Sequence, residues 1–249
     1  MSHDPQPNEP FHTTRWSIVL AAGRDATSES SSSALETLCQ TYWYPLYVYI
    51  RRRTKDVHEA QDVTQAFFER LLEKKTLANA DPDRGRFRAF LLTACKRFVV
   101  NEWKKEQAVK RGGGKATLSL DFEAAENRYS LEAEESLTPE ILYEQQWAIT
   151  LLDSVLDQLE TEFVDRDKQA QFDVLKPFLT GSTAMTHAEA GAQLSMQEGA
   201  VKVAVHRMRT RYRDLIRAEI AQTVESPGQI DDEIRRLFEV LAEKRTNSL

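Results

Sequence analysis

Residues 186–209 read THAEAGAQLSMQEGAVKVAVHRMR. Thr186 followed three residues later by Glu189 is the pattern of a capping box, in which a hydroxyl and a carboxylate each satisfy an orphan N–H at a helix start. The pattern predicts a short helix over 187–194, a tight turn at Ser195-Met196 and a second helix from about Gln197. On that second helix Val201, Val205 and Met208 share one face, and Val203, His206 and Thr210 lie opposite, flanked by Lys202 and Arg207. One face to pack and one to offer, after a short helix and a tight turn, is the layout of a helix-turn-helix whose second helix enters a major groove.

The second helix continues to Arg217 and carries Lys202, Arg207, Arg209, Arg211, Arg213 and Arg217 against one acid, Asp214. Arginines suit phosphates, and one or two neighbouring side chains suit base edges. The candidates for duplex contact are Gln197, Lys202, Val203, His206, Arg207 and Thr210. Arg207, Arg209, Arg211 and Arg213 alternate, which spreads them round the cylinder, so some must serve solvation or pairing within the protein. Taken alone, the stretch also fits an ordinary solvated basic helix.

That cationic helix sits in an acidic chain of 249 residues with a formal net charge of −6. The charge is blocked. Residues 84–115 are cationic, with Arg84, Arg86, Arg88, Lys96, Arg97, Lys104, Lys105, Lys110, Arg111 and Lys115 against Glu102 and Glu106. Residues 121–144 reverse the sign, with Asp121, Glu123, Glu126, Glu132, Glu134, Glu135, Glu140 and Glu144 against Arg128. Alternating blocks imply several partners rather than one uniform surface.

Nine glycines and eight prolines are few for a β-rich chain, and no period-2 run of useful length occurs. The expectation is an all-α protein of two helical domains. DVHEAQDVTQAFFERLLEKK places Val63, Phe67 and Leu71 at i, i+4 and i+8, and RFRAFLLTACKRFVVNEWKKEQAVKR resumes the helical period with Phe87, Phe90, Leu91, Ala94 and Phe98. The first domain spans 34–111 and ends at Gly112-Gly113-Gly114; 112–140 reads as an acidic flexible linker; the second domain spans 141–222. Before them, 1–33 hold a polar tail, a short helix over about 13–23 that buries Trp16, and a flexible serine-rich loop at 25–33.

Several function classes drop out. There is no Ser-His-Asp or Cys-His signature, no metal-type spacing and no phosphate-cradling loop, so no catalytic residue, metal or cofactor is expected. No apolar run is long enough for a membrane span, and MSHDPQPNEP has no signal-peptide core. Cys39 and Cys95 read as reduced core residues, which points to the cytoplasm. A recombinase-like enzyme would need a nucleophile or clustered carboxylates. An autonomous helix-turn-helix regulator would need residues 34–111 to supply a dimer or ligand domain.

Two motifs in order resemble sigma-70-type factors of the extracytoplasmic-function group. Asp62, Gln65, Phe68, Arg70 and Leu71, then Phe87, Arg88, Ala89, Phe90 and Leu91, are similar to that group's second conserved region. Ala188-Glu189, Leu194, Gly199–Lys202 and His206-Arg207 are similar to its fourth. Ser195 stands where the group often has a turn glycine, and Asn101-Glu102 replace an aspartate and a basic residue. The segments outside these regions look like the longer variants of planctomycete-type bacteria. The resemblance implies an alternative sigma factor with core RNA polymerase and promoter DNA as partners. Asp62, Gln65, Phe68 and Glu69 would meet the polymerase, with Phe68 equally suited to the core. Lys96, Arg97, Asn101, Lys104 and Lys105 would hold the minus-ten element, and the six helix-turn-helix candidates the minus-thirty-five element. An anti-sigma factor or other regulator is a further partner open to such proteins, and no residue pattern here identifies one.

Residues 223–249 form a C-terminal extension in which, after Pro227-Gly228, Ile234, Leu237, Phe238 and Leu241 make a narrow apolar stripe. A helix this short must bury its stripe against something. Two readings stand: it docks on the protein's own domains, or it covers the cationic helix and restrains DNA binding.

Overall fold

The computed structural model describes residues 29–73, 77, 86–106, 120–132, 137–181, 183–221, 223–224 and 227–246. The expected helix at 13–23 and the Gly112–Gly114 stop lie outside them, as do the side chains of Trp103, Lys104 and Lys105. Among the described residues there are α-helices, short 3-10 segments and no strand, as the all-α reading requires. The chain divides into two compact units, one holding 12–151 with 220–249 and the other 152–219.

In the first unit, α1 (Glu29–Arg53) is built round an aromatic run. Tyr42, Leu46, Tyr47, Val48, Tyr49 and Ile50 are all buried, so this end of the helix is enclosed on every side. It starts inside the serine-rich stretch expected to be a loop. Serine is only mildly unfavourable in a helix, and here it joins the opening turns. Thr54 follows α1 directly, its N–H giving a last helical bond to the Ile50 carbonyl at 3.0 Å. Asp56 then caps α2 (Val57–Glu73) by accepting from the Glu59 N–H at 2.9 Å. Val63, Phe67 and Leu71 form the buried stripe of α2, as their spacing predicts.

The next helix, α3 (Phe87–Glu106), buries Phe87, Leu91, Cys95, Phe98 and Val99. Phe87 meets Tyr42 edge-on at 5.5 Å, and Phe98 meets Phe67 at 5.5 Å, which joins α3 to both earlier helices. Both thiols, Cys39 and Cys95, are enclosed, and burial pushes the Cys95 thiol well up.

The acidic segment is not a spacer throughout. Phe122–Glu132 forms α4, which packs on α1. Phe122 contacts the rings of Trp43 and Tyr47 at 6.1 and 5.6 Å, and Arg128 lies 4.5 Å over Tyr44. Glu126 accepts from Tyr47 Oη at 2.5 Å and from Arg51 at 3.0 Å. The low hydrophobicity that suggested a linker is offset by one aromatic anchor and one shared carboxylate.

The helix α5 (Pro139–Val164) buries Leu142, Tyr143, Trp147, Ala148 and Leu151 in this unit. The C-terminal helix α9 (Ile230–Thr246) completes it. Leu237 is buried, Ile234 and Leu241 are half-buried, and Phe238 is exposed, so the apolar stripe is only partly covered. The deepest residue is Glu233, which no apolar periodicity points to: it is fully enclosed and pairs with Arg86 and Arg88. Arg88 therefore leaves the set of cations available to nucleic acid. These polar contacts support docking on the protein's own residues.

In the second unit, Val155 and Leu159 of α5 pack with Phe172, Leu175 and Phe178 of α6 (Gln169–Thr180). Gly181 ends α6 at φ 71°, in the left-handed region, and donates to the Pro177 carbonyl. Two further helices, α7 (His187–Leu194) and α8 (Glu198–Ala221), follow.

Candidate nucleic-acid interface

The capping box forms as the sequence predicts. Thr186 Oγ accepts from the Glu189 N–H at 3.2 Å, and Glu189 accepts from the Thr186 N–H at 2.7 Å. The Thr186 N–H and hydroxyl both donate to the Glu189 carboxylate and hold it below its usual range. The helix ends at Ser195, which takes the left-handed conformation (φ 54°, ψ 38°) that a glycine would take more cheaply. The N–H groups of Ser195 and Met196 both donate to the Gly191 carbonyl, the second at 2.8 Å. Helix α8 begins one residue after Gln197, whose carbonyl accepts the Val201 N–H at 3.1 Å.

Val201, Val205 and Met208 are buried, which fixes the rotation of α8. Lys202, His206, Arg207 and Thr210 are exposed, as is Gln197 before the helix, and Val203 is 50% exposed. The cations divide into two groups. Arg209 donates to the Phe178 carbonyl at 2.7 Å and so closes the last turn of α6. Arg211 pairs with Glu162, Nε to oxygen at 2.9 Å. Arg207 and Arg213 have no polar side-chain partner among the described residues. Lys202 is held only by Glu198, an exposed i,i+4 pair at 2.7 Å of little strength. Arg213 lies three helical turns beyond Lys202 and on the same face, a site that spacing alone marks and that the candidate set omits.

Beside this face runs a cleft of about 720 Å³, lined by Phe163, Leu175 and Val203 together with Arg166, Lys168 and Arg207. Tyr212 braces the unit from the other end of α8. Its hydroxyl donates to the Leu152 carbonyl at 3.2 Å, and burial pushes its phenol up to about 12.

On α3, Arg97 and Asn101 are exposed, and both line a hollow of about 240 Å³ with Phe67, Arg70, Phe90 and Phe98. Arg70 stands 5.6 Å over the Phe98 ring. A cationic rim over aromatic edges suits an unpaired nucleotide strand. Lys96 pairs with Glu140 at 2.9 Å, each about two-fifths exposed, so it is partly committed. Lys104 and Lys105 lie in the same helix, their side chains outside the described set.

On α2, Asp62 is exposed, and Gln65 donates to Glu69 at 3.2 Å on a half-buried patch beside it. Phe68 does not join them. At 1% exposure, packed edge-on to Phe67, it belongs to the core and has no surface to offer a partner.

Comparison with protein families matches the ECF sigma factor over residues 27–218, well over half of the chain. The chain belongs to the ECF sigma factor family. No curated protein and no solved structure matches it. In this sigma factor the matched span takes in α2, α3 and α7, and excludes α9. The family is one of non-enzymatic transcription factors. No helix among the described residues is long and apolar enough to cross a membrane.

Proposed function

We propose that this sigma factor binds core RNA polymerase and directs promoter recognition and opening as an alternative initiation factor. The observation that carries the reading is the outward face of α8. A closed capping box and three buried residues hold Lys202, His206, Arg207 and Thr210 exposed together on a helix-turn-helix. In this reading α8 takes the minus-thirty-five element. Lys96, Arg97 and Asn101 of α3, with Lys104 and Lys105, take the opened minus-ten strand. Asp62, Gln65 and Glu69 meet the polymerase. The overall negative charge weakens binding of the free chain to random DNA, which the phosphate term would otherwise favour. Polymerase and promoter together place its work in the cytoplasm.

The test is reconstitution. Core polymerase with the purified chain should protect two promoter elements and open the DNA at the downstream one. A chain that protects DNA equally well without polymerase is an autonomous regulator instead, and one that fails to bind core polymerase is not a sigma factor in practice.

A further inference from the structure

Helix α9 lies beyond the family-matched span, yet it supplies the most deeply enclosed carboxylate among the described residues of its unit. Glu233 is 0% exposed and is shared by Arg86, at 2.7 Å, and Arg88. Arg88, 3% exposed, also donates to Glu144 at 2.9 Å and lies 4.1 Å over the ring of Trp147. Two guanidinium groups and two carboxylates thus pair in one cluster, with Arg88 and Glu233 buried at its centre and Arg86 and Glu144 part-exposed at its edge. Gln145 adds a second tie, donating to the Val240 carbonyl at 3.0 Å. Glu233 Oε2 meets Arg86 as an ion pair without a hydrogen bond, so opposite charge rather than a full set of hydrogen bonds holds the carboxylate, and removing either partner strands a buried charge.

The cluster sits at one particular place. Arg88 is the second residue of α3, the helix that carries Lys96, Arg97 and Asn101. The backbone there is held as well, since Tyr143 of α5 donates to the Arg88 carbonyl at 3.0 Å. The first turn of α3 is therefore clamped between α5 and α9. A helix clamped at its start presents the side chains two and three turns on in a fixed rotation.

We propose that Glu233 is a positioning residue for promoter opening: through Arg88 it fixes the rotation of α3, and so the placement of Arg97 and Asn101 over their hollow. The inference rests on the sigma-factor reading for its consequence, but the clamp itself is independent of it. Withdrawing the Glu233 charge leaves Arg88 with one carboxylate instead of two.

The test uses the full chain and Glu233→Gln. Amide hydrogen exchange of the free protein should quicken at 86–92 by about tenfold or more, since a broken buried pair leaves an uncompensated charge. It should stay unchanged at 198–217. In holoenzyme, opening at the minus-ten element should slow to a similar degree while upstream protection persists, and Glu233→Asp should restore part of both. Gln145→Ala, which leaves no buried charge, should move both readouts the same way by less, and it decides the matter if Glu233→Gln fails to fold. Faster exchange confined to 230–246 overturns the proposal, as does equal loss of upstream protection and opening. If the unaltered chain opens no promoter, the sigma-factor reading fails, and the exchange result still decides the clamp.

Discussion

A Cβ added to Gly191 would lie 2.6 Å from the carbonyl oxygen of Met196, well inside van der Waals contact. The obstacle is backbone, which has little room to yield, because the Met196 N–H is itself bonded to Gly191. The glycine in the middle of α7 is thus required by the turn that follows it. Gly191→Ala gains about 1 kcal/mol of helix propensity and loses about 1–3 kcal/mol to overpacking. The expected outcome is net destabilisation, read as a lower urea midpoint and weaker upstream protection. A more stable variant would show that the turn can relax.

The division of the α8 cations predicts different losses from similar substitutions. Arg207→Ala should cost about 1–3 kcal/mol of promoter affinity and relax preference at one base pair. Arg213→Ala should weaken all sequences alike and lower the salt slope by about 0.9, as loss of one phosphate contact does. Arg211→Ala breaks an exposed pair with Glu162 and should cost no more than about 1 kcal/mol of stability. Affinity measured against salt on specific and random duplexes separates the three. Identical behaviour of Arg207→Ala and Arg213→Ala would remove the base-reading role.

Asp62 and Phe68 lie on the same helix and should fail in different ways. Asp62→Arg changes an exposed residue, so the fold should survive while core polymerase binding is lost. Phe68→Ala empties a site 1% exposed and should cost about 3–5 kcal/mol of stability. Circular dichroism melts and a binding assay on the same preparations check both. Full polymerase affinity in Asp62→Arg would move the contact elsewhere.

Glu126 gives the acidic helix a pH dependence. Burial alone would raise its carboxyl, but hydrogen bonds from Arg51 and Tyr47 outweigh it and hold the group below the usual range. A carboxyl depressed in the folded state adds stability that is complete above its unfolded value, about 4.3, and lost as pH falls through the folded value. Glu126→Gln should cost about 1–3 kcal/mol at neutral pH. Its deficit against the unaltered protein should shrink as pH drops below about 4. Urea denaturation across that range measures the effect, and a deficit independent of pH would show that shape, not charge, holds α4.

Residues whose roles repeat with a helical period are legible in the amino-acid sequence. Val63, Phe67 and Leu71, and Val201, Val205 and Met208, are buried where spacing puts them, and Thr186 with Glu189 announces the start of α7. Interactions that close across long sequence separations are not legible in that way. Glu126 lies 75 residues from Arg51, and Glu233 145 from Arg88. A carboxylate on a helix looks solvated until its distant partner is known, so α4 reads as spacer and α9 as a stripe. Phe68 falls between the two cases, because a motif position and a core position carry the same residue type.

The sequence contains two cysteines, and both lie behind a packed core, with Cys39 at 6% and Cys95 at 0% exposure. Neither thiolate is available to a maleimide while the protein stays folded. A single cysteine placed at an exposed position away from the candidate contacts, such as Ala170, would therefore take a fluorophore selectively in the otherwise native chain. The core that shields these thiols makes the protein ready for distance measurements on promoter complexes, with no residue first removed.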